Sequence, residues 1–597
     1  MATIKFDYDA DKQCAIVTAS DDCSERQWSS VRRLFEDRCV ATEVVGRALA
    51  SPWWEFVAFR KPFKYILRTN SLGLDASAAA TQLLRESVSR EEEYKNAPQL
   101  VDRAITQENI NACLEQVGFA RTLFPYQARN VARLIRASAG ATFSVPGAGK
   151  TTEALAFFCL NRVAGEKLLI VAPNNAFVAW EDEMPACLPD CPSQLQRLTG
   201  GERKVSETLS EDPDVSIISY HQIPYVMGPL RAFLARNRVC MFVDESHRMK
   251  RGQDGVHGAC ILGLSYLAGR KLVLSGTPMP NSSEDLISQF QFLYPDIRTT
   301  PDNVVSNIQD FFVRTTKAEL GLPPVQRVQV DVPMSPLQSR LYLSLASDAA
   351  RHLHGLSVFD RRRFRAVSKC VQYMLMAASN PCLLASSQIG HHQMLREVMA
   401  EGIAPKLLET CRIARAWANE GKKILIWSTF VSTVEHLAGL LSDFGAEYIH
   451  GGVSTSEDDE LLDSREAVIR RFNNPDSDTR ILVANPAACS EGISLHHVCH
   501  HAIYVDRNYN AAQYLQSEDR IHRIGVPEQV TTFVVTLATP DTIDTSVSRR
   551  LAIKVDRMAG ALNDPCLNIA PVSIDELADG IDNDDIADIQ ALLGVAG

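Results

Sequence analysis

Two series of short apolar runs predict an α/β protein with two parallel-sheet lobes. Each run ends in polar residues and alternates with segments of helical spacing. A glycine-rich turn at residues 147–149 and an acidic pair at 244–245 stand at run ends of the first series, where α/β sheets place their ligands. The pattern before residue 98 is different and predicts an N-terminal α+β accessory domain. Helical insertions complete the predicted fold.

In chain order, residues 1–97 form the accessory domain. "ATIKFDY" and "CAIVTA" read as strands and "ERQWSSVRRLFEDRC" as a helix. "WWEFVAF" and "KYILRT" read as strands again, and a mixed-charge helix runs from Ala76 to about Lys95. Trp53 and Trp54 fit a core or strand face, with a contact surface for nucleic acid or a partner as the alternative. Residues 98–315 form the first lobe, with strands "KLLIVAP", "VSIISY", "VCMFVDE" and "KLVLSG". Residues 316–415 are a linker and helical insertion. Residues 416–540 form the second lobe, with strands "KILIWST", "AEYIHGG", "RILVAN", "HAIYVD" and "TTFVVTL". Residues 541–597 are a C-terminal helix and acidic tail.

Bulk properties fit several domains in one chain. The 597 residues are 46% hydrophobic, too many for one core and too apolar for wholesale disorder. A formal charge of −11 excludes a globally basic nucleic-acid binder but not local basic tracks. Seven acids between Asp575 and Asp588 supply most of that charge. This tail reads as a solvated end or as a docking or autoinhibitory segment. The 15 cysteines have no C-x-x-C pair, which fits isolated thiols in a reducing compartment. The opening "MATIKFDYDADK" has no apolar signal core and no run reaches 18 apolar residues, so a soluble cytoplasmic protein without a membrane role is expected.

The stretch "SVPGAGKTT" carries the first chemistry. It meets the phosphate-loop pattern G-x-x-x-x-G-K-[ST] except that Ser144 replaces the first glycine. At a strand-to-helix turn, Gly147, Ala148 and Gly149 can wrap phosphates with backbone N–H groups, helped by the helix N-terminus at Thr151 and Thr152. Lys150 would neutralise β/γ-phosphate charge, and Thr151 would ligate Mg²⁺. Asp244 follows an apolar strand and can hold the same Mg²⁺. Glu245 can polarise the attacking water. ATP and Mg²⁺ are therefore the expected cofactors, and hydrolysis the expected reaction.

The segment "DESH", Asp244–His247, resembles the D-E-A-H box of superfamily-two helicases. "LFPYQARNVARLI", "LLIVAPNNAFVAWEDE", "SIISYH" and "LVLSGTPMPNSSEDLISQFQFLYP" resemble further motifs of its Swi/Snf branch, in order. So do "FFVRTTKAELGLPPVQRVQVDVPMSPLQSRLY" and "ASNPCLL", then "KILIWSTF", "ANPAACSEGISL" and "YNAAQYLQSEDRIHRIG" in the second lobe. Coverage is about residues 118–540. The resemblance implies two RecA-like lobes and an ATP-driven translocase on double-stranded DNA. It implies that Gln127 contacts adenine, and that Arg520 and Arg523 reach the γ-phosphate, with pairing to Glu518 and Asp519 as the alternative for these arginines. His247, Gly492 and Gln516 would couple the nucleotide to the lobes. Asn174, Ser219, Tyr220, Thr277 and Ser428 would meet the DNA backbone, with buried turn hydrogen bonds as the competing explanation. The last motif departs from the family at Tyr509-Asn510-Ala511 and Gly525-Val526.

Two further segments stay open at this level. "HHVCHH", residues 496–501, suggests metal binding, but neighbours on an extended chain point opposite ways, so core packing is expected. "DRRRFRAVSKC" is a basic helix that could track phosphates or stay solvated. A strand-separating helicase and an ATP-switched scaffold are the rival functions; the N-terminal domain and the tail are the candidate protein-docking parts. The absence of recognisable chromatin-reader modules favours a compact bacterial or phage member, nucleoid-associated if bacterial.

Overall fold

The computed structural model describes residues 2–9, 12, 14–39, 42–96, 106–189, 195–353, 361–451, 465–489, 494–526, 529–562 and 564. The acidic tail and Gly492 lie outside them. The chain divides into two compact units, Met1–Pro278 with Ser283–Thr315, and Met279–Ser282 with the chain from Thr316 onward. No helix among the described residues is long and apolar enough to cross a membrane.

The first unit holds two sheets. The N-terminal sheet contains β1 (Thr3–Asp9), β2 (Cys14–Ala19), β3 (Glu43–Val45), β4 (Ala48–Pro52) and β5 (Gly73–Ala76), in the order β3-β4-β2-β1-β5. Its inward residues Ile4, Phe6, Ala15 and Val17 pack with Trp28, Val31 and Phe35 of the helix Glu25–Arg38. The expected strands "WWEFVAF" and "KYILRT" are instead one helix, Trp53–Thr69. Phe56, Phe59, Phe63 and Leu67 recur at spacings of three and four, which lays one aromatic face on the sheet. That pattern outweighs the strand propensity of the individual residues. Trp53 is core, as expected, but on a helix.

The second sheet of this unit is wholly parallel. It contains β6 (Ala139–Thr142), β7 (Lys167–Ala172), β8 (Gln196–Leu198), β9 (Val215–Ser219), β10 (Val239–Asp244), β11 (Arg270–Leu274) and β12 (Phe312–Val313). The order is β12-β6-β11-β10-β7-β9-β8. Helices cover both faces, so the inner strands are buried throughout and read as continuous apolar runs. Strands β6, β11 and β10 are neighbours, and their C-terminal ends carry the phosphate loop, Ser275-Gly276-Thr277 and Asp244-Glu245.

The N-terminal sheet is not a free module, because it packs on this lobe. Tyr8 and Tyr266 share a hydrogen bond between hydroxyls. The buried carboxylate of Asp296 accepts from Ser87 Oγ at 2.5 Å and Arg90 Nε at 2.7 Å. Ser138, which precedes β6, donates its hydroxyl to Glu93 at 2.8 Å. Tyr94 packs against Tyr294 and Phe311, with ring centroids 5.0 and 4.9 Å away.

The second unit has a six-stranded parallel sheet ordered β13-β18-β17-β14-β16-β15. Its strands are β13 (Val325–Asp331), β14 (Ile424–Trp427), β15 (Glu447–Ile449), β16 (Ile481–Ala484), β17 (His501–Tyr504) and β18 (Thr532–Ala538). The five predicted strands are present. β13, read from sequence as linker, adds an edge alongside β18. The insertion supplies the helices Pro336–Leu353, Arg361–Ser379 and His392–Ala400.

Candidate functional site

The phosphate loop follows β6 and ends at Gly149, which caps the helix Lys150–Asn161 in a left-handed conformation, φ +81°. A side chain there would be strained, and its Cβ would also lie 2.3 Å from Gln127 Nε2. Gln127 braces the loop. Its Nε2 donates to Ala148 O at 3.1 Å, and its Oε1 accepts from Phe124 N at 3.0 Å. The side-chain amide expected to meet adenine is thus also the loop's support. Lys150 Nζ donates to Ser144 O at 3.1 Å.

The irregular "SVP" has a physical account. Ser144 is fully buried, and its Oγ accepts the Thr315 N–H at 3.0 Å. Asn130 Nδ2 stands 3.4 Å from that Oγ, 2.9 Å from Thr315 Oγ1 and 2.8 Å from Glu153 Oε1. Thr142 Oγ1 donates to the other Glu153 oxygen at 2.9 Å. Burial pushes the Glu153 carboxyl up to about 7, against those two hydrogen bonds. A serine in place of the pattern's glycine thus joins a polar network beneath the loop. Pro146 packs on Gly276, where a Cβ would come within 2.8 Å of Pro146 Cδ.

The acidic pair ends β10. Asp244 Oδ2 accepts from Trp180 Nε1 at 2.9 Å and Oδ1 accepts from Glu245 N at 2.9 Å. Glu245 adopts φ +49°, a left-handed conformation that is costly for a residue with a side chain. Tyr220 Oη lies 2.6 Å from Asp244 O and 3.2 Å from Glu245 O, which pins the turn. Burial raises the Asp244 carboxyl, and the Glu245 charge adds to that. Burial works the same way on Glu245, but His247, Lys150 and Arg248 outweigh it and hold that carboxyl low. His247 Nδ1 is 3.3 Å from Glu245 Oε2 and 3.1 Å from Ser275 Oγ, linking the pair to the turn after β11. Ser246 Oγ donates to Gln289 Oε1 at 2.7 Å. The Thr151 hydroxyl and the Asp244 carboxylate make an all-oxygen donor set of the kind Mg²⁺ takes.

The expected backbone contacts do not all face solvent. Asn174 is exposed. Tyr220, Thr277 and Ser428 are buried to 1% exposure or less, and Ser219 to 7%. Ser219 Oγ accepts from Gln222 N, and Ser428 Oγ donates to Asp506 Oδ2 at 2.7 Å. Ser219, Tyr220 and Ser428 thus make the buried hydrogen bonds weighed as the alternative for these positions, and the Thr277 N–H donates to Ser275 Oγ at 3.2 Å.

In the second unit, Glu518 and Asp519 are held by cations from the linker. Arg327 donates to Glu518 at 2.6 and 2.9 Å, and Lys317 Nζ lies 2.5 Å from Asp519. Arg520 Nε donates to Gln516 O at 2.9 Å. Arg523 donates to Ser494 Oγ at 2.8 Å, and burial lowers its guanidinium pKa. The Gln516 side-chain nitrogen is buried without a hydrogen-bond partner among the described residues. Two members of the histidine-rich segment pack in the core. His501 stacks on Phe533 and meets Trp417, and the Cys499 thiol points at backbone carbonyls. No group of three metal-binding side chains occurs among the described residues.

Sequence reasoning missed Trp180, Asn130, Glu153 and Thr315. Trp180 could have been found, since it closes the quoted "LLIVAPNNAFVAWEDE" segment; the others become site residues only when β6 and β12 pair.

Comparison with known proteins gives a match to the SNF2-related domain over residues 126–304 and to the helicase conserved C-terminal domain over residues 405–525. The chain is similar to the ISWI chromatin-remodeling complex ATPase ISW1 of Saccharomyces cerevisiae, 24% identical over 72% of this chain and 40% of that protein. It is also similar to the mouse "SWI/SNF-related matrix-associated actin-dependent regulator of chromatin subfamily A member 1", 22% identical over 68% of this chain and 40% of that one. The chain therefore spans about 40% of the length of these relatives. Among solved structures, a Sulfolobus solfataricus SWI2/SNF2 ATPase core in complex with dsDNA matches at 19% identity with a TM-score of 0.32. That match covers 75% of this chain and 94% of the other.

Proposed function

We propose, from the premise that this chain belongs to the Swi/Snf-like branch of superfamily two, that it is a DNA-stimulated ATPase that translocates on duplex DNA and remodels protein–DNA complexes or DNA structures. The observation that carries the ATPase reading is the convergence of the phosphate loop and the acidic pair at the ends of neighbouring strands. His247 bridges that pair to Ser275.

Thr151 and Asp244 would hold Mg²⁺, which when bound would supply charge neutralisation to the phosphates. Lys150 leaves the Ser144 carbonyl for the phosphates, which outbid a neutral acceptor for an ammonium. Glu245, low in proton affinity and held rigid by Tyr220, orients the attacking water. Arg520 and Arg523 supply positive charge for the γ-phosphoryl transition state.

The experiment is steady-state ATP turnover with no nucleic acid, single-stranded DNA, duplex DNA and RNA. Duplex DNA should stimulate several-fold, and Lys150→Ala or Glu245→Gln should lower turnover at least a hundredfold. Triplex displacement without strand separation is the expected motor signature. Strand separation would transfer the assignment to a helicase, and indifference to every nucleic acid would sink the translocase reading.

A further inference from the structure

The N-terminal domain and the first lobe enclose a cavity of about 440 Å³, within the range of small-molecule sites. It lies apart from the phosphate loop. One wall comes from the N-terminal domain, with Arg38 in the last turn of its helix and Phe59 where the helix Trp53–Thr69 departs from helical geometry, φ −121°, ψ 16°. The other comes from the segment just after "DESH", with Lys250 and Arg251, and from the helix Asp285–Leu293. Arg298 completes the rim.

Three features define the occupant. The lining carries four cations, Arg38, Lys250, Arg251 and Arg298, against two carboxylates, Glu55 and Glu284. Phe59, Leu262 and Ile287 are the apolar side chains of the lining, Phe59 and Leu262 with only an edge exposed. Ser288 lines the cavity at 2% exposure, and its hydroxyl has no hydrogen-bond partner among the described residues. A buried hydroxyl without a partner is costly unless something meets it. Gly252, at φ +52°, allows the segment after "DESH" to approach this point; a Cβ there would lie 3.7 Å from Ser288 Cβ.

We propose that this cavity binds a phosphorylated ligand of mononucleotide size, with its phosphate on the cationic rim and its flat part against Phe59. A free nucleotide and the 5′ end of a strand present the same phosphate chemistry. The site is connected to the acidic pair. Ser288 adjoins Gln289, whose Oε1 accepts from Ser246 Oγ and whose Nε2 donates to Pro278 O at 2.7 Å. An occupant therefore acts on the helix that clasps the turns after β10 and β11. An effect on turnover rests on the ATPase reading above, whereas binding does not.

The test is calorimetric titration of the full chain with GMP and with a 5′-phosphorylated trinucleotide, each beside its unphosphorylated form. The same titrations are run on Lys150→Ala, on Arg38→Ala/Arg298→Ala and on Ser288→Ala. Binding should require the phosphate and persist in Lys150→Ala. It should weaken at least tenfold in the double-arginine variant, whose changed side chains are exposed, and about threefold in Ser288→Ala. Preference for GMP identifies a free nucleotide and preference for the trinucleotide a strand end. Loss of binding in Lys150→Ala assigns the ligand to the phosphate loop and overturns the proposal. So does binding that ignores the phosphate or the two arginines, or no binding up to millimolar ligand.

Discussion

At the scale of single residues, the site depends on side chains that never touch the nucleotide's reacting atoms. Glu245 sits in a backbone conformation that costs on the order of 1–3 kcal/mol. The Tyr220 hydroxyl, against both carbonyls of the acidic pair, is what holds it there. Tyr220→Phe keeps the ring and removes only that bond, so it should cut kcat about tenfold with KM for ATP little changed, as read by steady-state kinetics. The positions of Lys150, Asp244 and Glu245 at strand ends were legible in sequence because local spacing sets them. The roles of Ser144, Asn130 and Glu153 were not, because they come from the meeting of three segments far apart in the chain. His501 makes a different prediction. Burial drives its imidazole down to about 4, from an unfolded value near 6.5. The unfolded chain then binds the proton first, so stability should fall as pH drops from about 6.5 towards 4. Melting followed across that window should show the loss, and His501→Phe should flatten it.

At the scale of elements, continuous apolar runs were legible where both faces are buried, and helical spacing was overridden where composition misled. The parallel strands of both lobes declare themselves as continuous apolar runs, because helices cover both sides. The helix Trp53–Thr69 hid behind six aromatic residues, all strand-prone in isolation. Its four-residue repeat of Phe59, Phe63 and Leu67 was the better signal. Strand β13 hid because it is an edge with mostly half-exposed residues, so no apolar run marks it. The helix Ala78–Asn96, read from sequence only as mixed-charge, sends Ser87 and Arg90 to the buried Asp296. Asp296→Ala would strand the Arg90 guanidinium and should cost about 3–5 kcal/mol, measured by denaturant unfolding. Amide exchange in β1, β2 and β4 should rise in the same variant.

At the scale of the whole molecule, the net charge of −11 coexists with a proposed affinity for a polyanion, so any DNA contact must come from local cationic surface. Stimulation by duplex DNA should therefore decline steeply with salt, as counterion release requires, while DNA-independent turnover changes little. Comparing the two rates between 50 and 200 mM salt checks this. The grip of Asp296, Ser138 and Tyr266 on the N-terminal domain has one more consequence. Residue 97 is a boundary along the chain but not a boundary in cooperativity. Severing the polypeptide between residues 97 and 105 should leave two fragments that co-elute, with the N-terminal fragment and the first lobe melting in the same calorimetric transition.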